Sequence, residues 1–68
     1  MSNKNTQDLT VLAREVLTVC REEGFASVPM IQRQLHLGYM RASSVVAELL
    51  AAGAIGARGE DGKHPVLP

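Results

Sequence analysis

The sequence predicts a mainly helical domain in which three short helices are followed by a small β-hairpin. Two observations carry this prediction. Three segments place apolar residues three and four positions apart, which is the spacing of one face of an α-helix. The last segment instead has two short apolar runs around a loop with two glycines, which is typical of a hairpin. A chain of 68 residues has room for one domain, which we expect over residues 8–68 behind a flexible tail at residues 1–7.

The first helix is expected over residues 8–23. Thr6 or Asp8 is the expected N-cap, because short polar side chains accept hydrogen bonds from the free amides of a first turn. Gly24 is expected to end the helix, since a residue without a Cβ readily adopts the left-handed conformation found there. Cys20 is the single cysteine and is interpreted as a small buried apolar residue. The apolar face of this helix comprises Leu9, Leu12, Ala13, Val16, Leu17, Val19 and Cys20.

The second helix is expected over residues 29–35, after a short extended stretch at residues 25–28. Two starts fit the sequence. Ser27 can cap the helix through its hydroxyl, or Val28 can be the cap residue with Pro29 in the first helical position, where a missing N–H costs nothing.

A turn at residues 36–39 is expected to join the second helix to the third, with its sharp bend at Gly38. The third helix is expected over residues 39–52, and Gly53 is expected to end it as Gly24 ends the first. The predicted apolar face of this helix comprises Ala42, Val45, Val46, Leu49 and Leu50.

The hairpin is expected to pair a strand at residues 54–57 with a strand at residues 64–67. Pro65 has no N–H to donate to a ladder, so the second of these strands is predicted to be an edge strand. Glu60 and Asp61 at the tip of the hairpin would repel a phosphate group, and this weighs against close contact of the tip itself with a phosphate-bearing ligand.

This order of elements is that of a winged helix-turn-helix. In such modules the amino end of the recognition helix, here the third, enters the major groove of DNA. Arg41 can contact guanine or phosphate there, and the Tyr39 hydroxyl can contact phosphate. The candidate DNA-contacting residues are Gln32, Arg33, His36, Tyr39, Met40, Arg41, Ser43, Ser44, Arg58 and Lys63, with His64 as a further exposed residue of the hairpin.

The distribution of charge supports this interpretation better than the total charge does. The formal net charge is zero, which by itself does not favour a nucleic-acid ligand. Residues 29–47, however, contain Arg33 and Arg41 with His36 between them, and no acidic residue. The middle of the chain is therefore a basic island.

Two runs of the sequence carry a family resemblance. Residues 28–42 have the sequence VPMIQRQLHLGYMRA and residues 45–55 have VVAELLAAGAI. They resemble the gamma domain of the FtsK/SpoIIIE DNA translocases, whose pattern has Gln-Arg, then an apolar-Gly-Tyr-Asn-Arg-Ala-Ala-Arg run and a closing Gly-Ile-Val. The resemblance extends over about residues 8–67.

The resemblance implies a winged helix that recognises short, G-rich, strand-polarised DNA motifs orienting DNA pumping, and that also contacts and activates a Xer-type tyrosine recombinase. Arg41 matches the family pattern. Met40 stands where the family has Asn, and Ser44 stands where it has a second Arg, both of which contact bases in the family. We therefore expect the family's motif not to be recognised in the same way. The chain has no Gly-x-x-x-x-Gly-Lys-Ser/Thr loop, so we expect a stand-alone relative without the ATPase motor.

Double-stranded DNA is thus the expected partner, in transcription regulation or an adaptor role. The second hypothesis is a protein-interaction module that docks on a recombinase or self-associates as a homodimer. For single residues, the simpler alternatives are that Arg33 and Arg41 are solvated surface charges and that Tyr39 packs its ring under the turn. Met30 is expected in the core in either case, whereas Met40 is expected to be exposed.

An enzyme is the least favoured class. The sequence has no clustered carboxylates and no metal-ligand spacing, and Ser43 and Ser44 beside His36 lack an orienting acid. We therefore expect no catalytic residue, no metal and no cofactor. The polar amino end and the lack of an apolar run near ~20 residues favour a cytoplasmic protein without membrane contact.

Overall fold

The computed structural model describes residues 9–68, so the tail expected at residues 1–7 lies outside the described residues. Three helices are present: α1 at Val11–Glu23, α2 at Val28–Leu35 and α3 at Tyr39–Ala51. Each helix contacts the other two. The prediction of three helices is confirmed, and none of the three is long and apolar enough to cross a bilayer.

The start of α1 differs from the expectation. Its N-cap is Thr10, whose hydroxyl oxygen accepts from the Ala13 amide at 3.1 Å, so the prediction of Thr6 or Asp8 was wrong. Glu48 of α3 explains the position of the start. Its Oε2 accepts from the Thr10 amide at 2.7 Å, and its Oε1 accepts from the Thr10 hydroxyl at 3.0 Å. This carboxylate thus fixes the start of α1 against α3.

The ends of α1 and α3 follow the sequence signals. Gly24 has φ 90° and its amide donates to the Cys20 carbonyl at 2.8 Å. Gly53 has φ 75° and donates to the Leu50 carbonyl, and the next amide, that of Ala54, donates to the Leu49 carbonyl. This pair of bonds is a Schellman motif, which requires a left-handed residue after the helix. Both glycine predictions are confirmed.

The structure decides between the two starts of α2. Ser27 is the N-cap, since its Oγ accepts from the Met30 amide at 3.2 Å, and Pro29 lies in the first turn behind Val28. The turn between α2 and α3 bends at His36, which has φ 56°, and the prediction of Gly38 was wrong. With His36 left-handed, the chain closes α2 through two amides, because those of His36 and Leu37 both donate to the Gln32 carbonyl. Gly38 is extended, with φ −71° and ψ 167°, and begins α3.

The core lies between the three helices and includes Cys20 and Met30, as predicted. Leu50, which was predicted on the apolar face of α3, is an exception, because 39% of its surface is exposed. It follows Leu49 by about 100° around the helix, which carries it beyond the face that packs on α1 and α2. The buried apolar residues are Leu9, Ala13, Val16, Leu17, Cys20, Ala26, Met30, Ile31, Ala42, Val45, Val46, Leu49 and Ile55.

Residues 54–67 form the segment that we call the wing. Within it Ile55 and Val66 make an isolated antiparallel bridge, and His64 makes a second one with Ala26 in the α1–α2 linker. The two predicted strands are therefore reduced to single bridged positions. The fold remains that of a small winged-helix-like domain, mainly helical with little strand.

The second arm of the wing, at residues 64–67, is paired on both of its sides. The prediction from Pro65 that it is an edge strand was therefore wrong. His64 exchanges two backbone hydrogen bonds with Ala26 on one side, at 2.7 and 2.9 Å. On the other side the Pro65 carbonyl accepts from the Gly56 amide at 2.8 Å. Proline is tolerated there because this pairing uses its carbonyl and needs no N–H from it.

His64 is buried, with 7% of its surface exposed, so its assignment as an exposed wing residue was also wrong. Its Nδ1 lies 2.9 Å from the Gly56 carbonyl oxygen. A carbonyl only accepts, so Nδ1 carries the proton and donates. The side chain therefore joins the two arms of the wing from the inside.

Candidate nucleic-acid interface

The amino end of α3 differs from those of α1 and α2. Thr10 and Ser27 cap the first two helices, whereas Gly38 has no side chain and α3 has no side-chain cap. The first helical bond is donated by the Ala42 amide to the Gly38 carbonyl at 3.0 Å. The amides of residues 39–41 precede that bond and have no partner within the helix. Such an end carries partial positive charge and suits an anionic group.

The side chains of this first turn point into solvent. Tyr39 is 62% exposed and Met40 is 79% exposed, and Arg41 and Ser44 are also exposed. Ser43 is half-buried beside them. The opposite face of α3, with Ala42 and Val45, packs into the core. The prediction that Met40 is exposed is confirmed, and the exposure of Tyr39 shows that its ring is not packed under the turn.

The last turn of α2 supplies the neighbouring candidates. Arg33 and His36 are exposed and Gln32 is half-buried. The left-handed His36 leads through residues 37–38 directly into α3. Arg33 and Arg41 are therefore exposed on the two helices that this turn joins.

Glu48 lies beside this surface, with its carboxylate engaged by Thr10. It is the first acidic residue after Glu23, so residues 24–47 are free of acids. Both of its carboxylate oxygens accept hydrogen bonds from Thr10. Sequence reasoning missed Thr10 and Glu48, and the one signal for them was an acidic residue within an apolar run of α3. A shallow pocket beside this pair is lined by Thr10, Leu12, Arg41, Ser44, Val45 and Glu48.

The wing holds its two candidate cations differently. Arg58 is exposed on the loop. Lys63 is exposed too, but its Nζ lies 4.4 Å from the centre of the Phe25 ring, a cation–π contact with the α1–α2 linker. The Lys63 amide also donates to Asp61 Oδ1 at 3.0 Å. The structure therefore ties Lys63 to the base of the wing, while Arg58 extends from its loop.

Residues 9–68 bring together no group of three His, Cys, Asp or Glu side chains that could hold a metal ion. The buried Cys20 thiol is not poised for chemistry either. Burial raises its pKa to about 11, and the nearby Glu23 charge acts in the same direction. A raised pKa keeps a thiol protonated and a poor nucleophile at neutral pH.

Comparison with known protein families matches residues 7–68 to the FtsK gamma domain, which covers nearly the whole chain. That family consists of DNA-binding winged-helix domains. The match agrees with the fold and with the exposed amino end of α3, and it confirms the resemblance carried by residues 28–42 and 45–55. The chain belongs to the FtsK gamma domain family.

Proposed function

We propose that this chain is a non-catalytic, sequence-specific binder of double-stranded DNA that acts as a regulator or adaptor. The amino end of α3 enters the major groove, and the wing lies on the adjacent backbone. The observation that carries the proposal is the exposed, acid-free amino end of α3 with Arg41 on its first turn. Membership of a DNA-binding family supplies the ligand.

This surface makes two kinds of contact, one to the phosphate backbone and one to the base edges. The uncapped amides of residues 39–41 and the Tyr39 hydroxyl hydrogen-bond phosphate and fix the register of the helix. Arg33, His36 and Arg58 add sequence-independent affinity to the backbone. Arg41 forms a bidentate bond with a guanine edge, and Gln32, Met40, Ser43 and Ser44 adjust the choice of bases. Lys63 contributes less, because its ammonium group already lies over Phe25.

Substituting Arg41 tests the proposal. Arg41→Ala is expected to weaken binding by roughly 5- to 150-fold, the value of one bidentate base contact. Arg21→Ala is the matched control, because Arg21 is an exposed arginine in the last turn of α1. Both variants carry the same net charge, so a gel-shift titration at fixed salt separates a local contact from a general loss of charge. Equal affinities for Arg41→Ala and Arg21→Ala would refute the assignment of α3.

Salt dependence supplies an independent check. Each phosphate contact releases counterions, so the logarithm of the binding constant should fall linearly with the logarithm of the salt concentration. The slope of that line should be about −0.9 for each phosphate contact. Arg33→Ala and Arg58→Ala are each expected to reduce that slope by about 1. A slope near zero for the unsubstituted protein contradicts a phosphate-driven mode.

A second candidate function is docking on another protein, such as a Xer-type recombinase, or on a second copy of this chain. The observation that favours it is the exposure of two large apolar side chains on α3, Met40 at 79% and Leu50 at 39%. Sedimentation of the protein with and without duplex DNA separates the two functions. A dimer that forms without DNA and does not bind a duplex favours docking, and a monomer that sediments with the duplex favours DNA binding.

A further inference from the structure

The solvent face of α3 carries an uncharged line of side chains. Met40, Ser44, Ala47 and Ala51 are all exposed. At about 100° per residue they fall within an arc of about 60° around the helix axis. Met40 and Ala47 are seven residues apart, about 10 Å along the axis, which matches about three base-pair steps of 3.4 Å.

The charged residues of α3 lie to one side of this line. Arg41 and Glu48 are each turned about 80–100° away from Met40. Both carboxylate oxygens of Glu48 accept hydrogen bonds from Thr10. The central line therefore offers the Met40 thioether, the methyl groups of Ala47 and Ala51, and the Ser44 hydroxyl, which is its one side-chain group that can pair with the donors or acceptors of a base edge. Its small residues let the backbone of α3 come close to whatever surface it meets.

The floor of the major groove has one apolar feature, the C5-methyl group of thymine. The remaining base edges present donors and acceptors, which would lose hydrogen bonds to water against an apolar side chain without gaining a partner. Met40 and Ala47, the apolar residues at the amino end and middle of this line, are thus matched to thymine methyl groups and mismatched to a run of G·C pairs.

We propose that Met40 and Ala47 determine specificity by contacting thymine methyl groups, with Arg41 contacting a guanine beside them. The target of this chain is then a short duplex that combines guanine with thymines rather than a purely G-rich motif. This inference rests on the proposed function, which supplies the ligand, and it adds which bases the ligand contains.

Removing the methyl groups from the DNA tests the inference directly. Tight-binding duplexes are selected from a randomised pool made with thymidine, and each selected sequence is then synthesised again with deoxyuridine in place of thymidine. The protein is expected to bind the uracil duplex about fourfold more weakly for each contacted methyl. As a control, cytosines at positions that α3 does not face are replaced with 5-methylcytosine, and this replacement is expected to leave the affinity unchanged.

Variants locate the contact on the protein. Met40→Ala is expected to lose thymine–uracil discrimination at one position while keeping the guanine preference. Val11→Ala is the control, because Val11 is a 74% exposed apolar residue on α1, and it should discriminate as the unsubstituted protein does. Selected duplexes that are G-rich without thymine, or equal affinity for thymine and uracil duplexes, would overturn the inference and leave the proposed function standing. If the randomised pool shows no duplex binding at all, the proposed function fails first.

Discussion

The three-helix core and the wing are stabilised by different interactions. Most buried apolar residues lie in the helices, whereas Ile55 is the buried apolar residue that the wing supplies among the described residues. The wing depends instead on a few hydrogen bonds: two isolated bridges, the Gly56–Pro65 bond and the buried His64 side chain. A core stabilised by a large buried apolar surface tolerates the loss of one polar contact. A segment stabilised by a few individual hydrogen bonds loses its geometry when one of those bonds is removed.

The difference bears on function, because each part presents one half of the proposed interface. The helices position the exposed face of α3, which we propose contacts bases, through packing. The wing positions Arg58 through His64 and its pairing with Ala26. Substitutions in the core should therefore change stability first, and substitutions in the wing should change the affinity for DNA more than they change unfolding of the helices.

The largest effect is expected in the core. Leu49 is fully buried and Leu50, the next residue, is 39% exposed. Leu49→Ala should lower the free energy of unfolding by about 2–5 kcal/mol, since it removes buried methyl groups and leaves a cavity. That is a large part of the stability of a domain this small. Urea unfolding followed by circular dichroism measures the change.

Leu50→Ala is the matched control on the same helix and should cost less than about 1 kcal/mol, because its side chain is already partly in water. Similar losses for the two variants would show that both leucines are core residues, and the separation between the inner and outer faces of α3 would then be wrong.

The next effect concerns the wing. His64→Ala removes the donor to the Gly56 carbonyl, and leaving a buried acceptor unpaired costs about 1–3 kcal/mol. His64→Asn should recover part of the loss, because the Asn amide nitrogen takes a position similar to that of Nδ1. Amide hydrogen exchange at Gly56 and Gly59 reports opening of the wing, while amides within α1 report the core. Faster exchange spread equally over wing and helices contradicts a local role for His64.

A smaller effect is expected at the start of α2. Ser27→Ala removes the acceptor for the Met30 amide and should cost about 1 kcal/mol. Ser27→Asp keeps an acceptor at the cap and should retain most of the stability. Ser44→Ala is the control, because Ser44 is an exposed serine within α3 where alanine favours the helix. A neutral Ser27→Ala would mean that water satisfies the Met30 amide as well as the hydroxyl does.

The same division explains what the sequence alone could predict. Apolar spacing fixes which faces of the helices turn inward, and Gly24 and Gly53 mark ends that need a positive φ. The misplaced features depend on contacts between distant residues. Thr10 is the N-cap because Glu48, 38 residues away, accepts from it, and His64 is buried because Ala26 pairs with it. Neither contact has a periodic signal.

Within the candidate site the exposed residues of α2 and α3 could be predicted from the sequence, but the way in which Lys63 is held could not. The acid-free stretch and the amino end of α3 follow from local order. The contact between Lys63 and Phe25 does not, because it depends on where the wing returns along the α1–α2 linker. The bend at His36 was missed for another reason: a left-handed histidine is rare enough that glycine is the natural choice.

The smallest effect at neutral pH belongs to Cys20, and it tests how completely the core excludes water. In the folded protein its pKa is raised to about 11, mainly by burial and to a smaller extent by Glu23, whereas an unfolded thiol titrates near pH 8.5.

Below pH 8.5 the thiol holds its proton in both the folded and the unfolded state, so it contributes no pH dependence to stability. As the pH rises towards 11 the unfolded thiol ionises first, which favours unfolding. Stability should thus fall with pH across this window by at most about 1.4 kcal/mol per pH unit, and the fall should be absent from Cys20→Ala. Urea unfolding of both proteins from pH 7 to pH 11 isolates the contribution of the thiol, because the two proteins differ only at residue 20. Parallel curves would mean that the folded thiol ionises as easily as the unfolded one, and that water reaches the centre of α1.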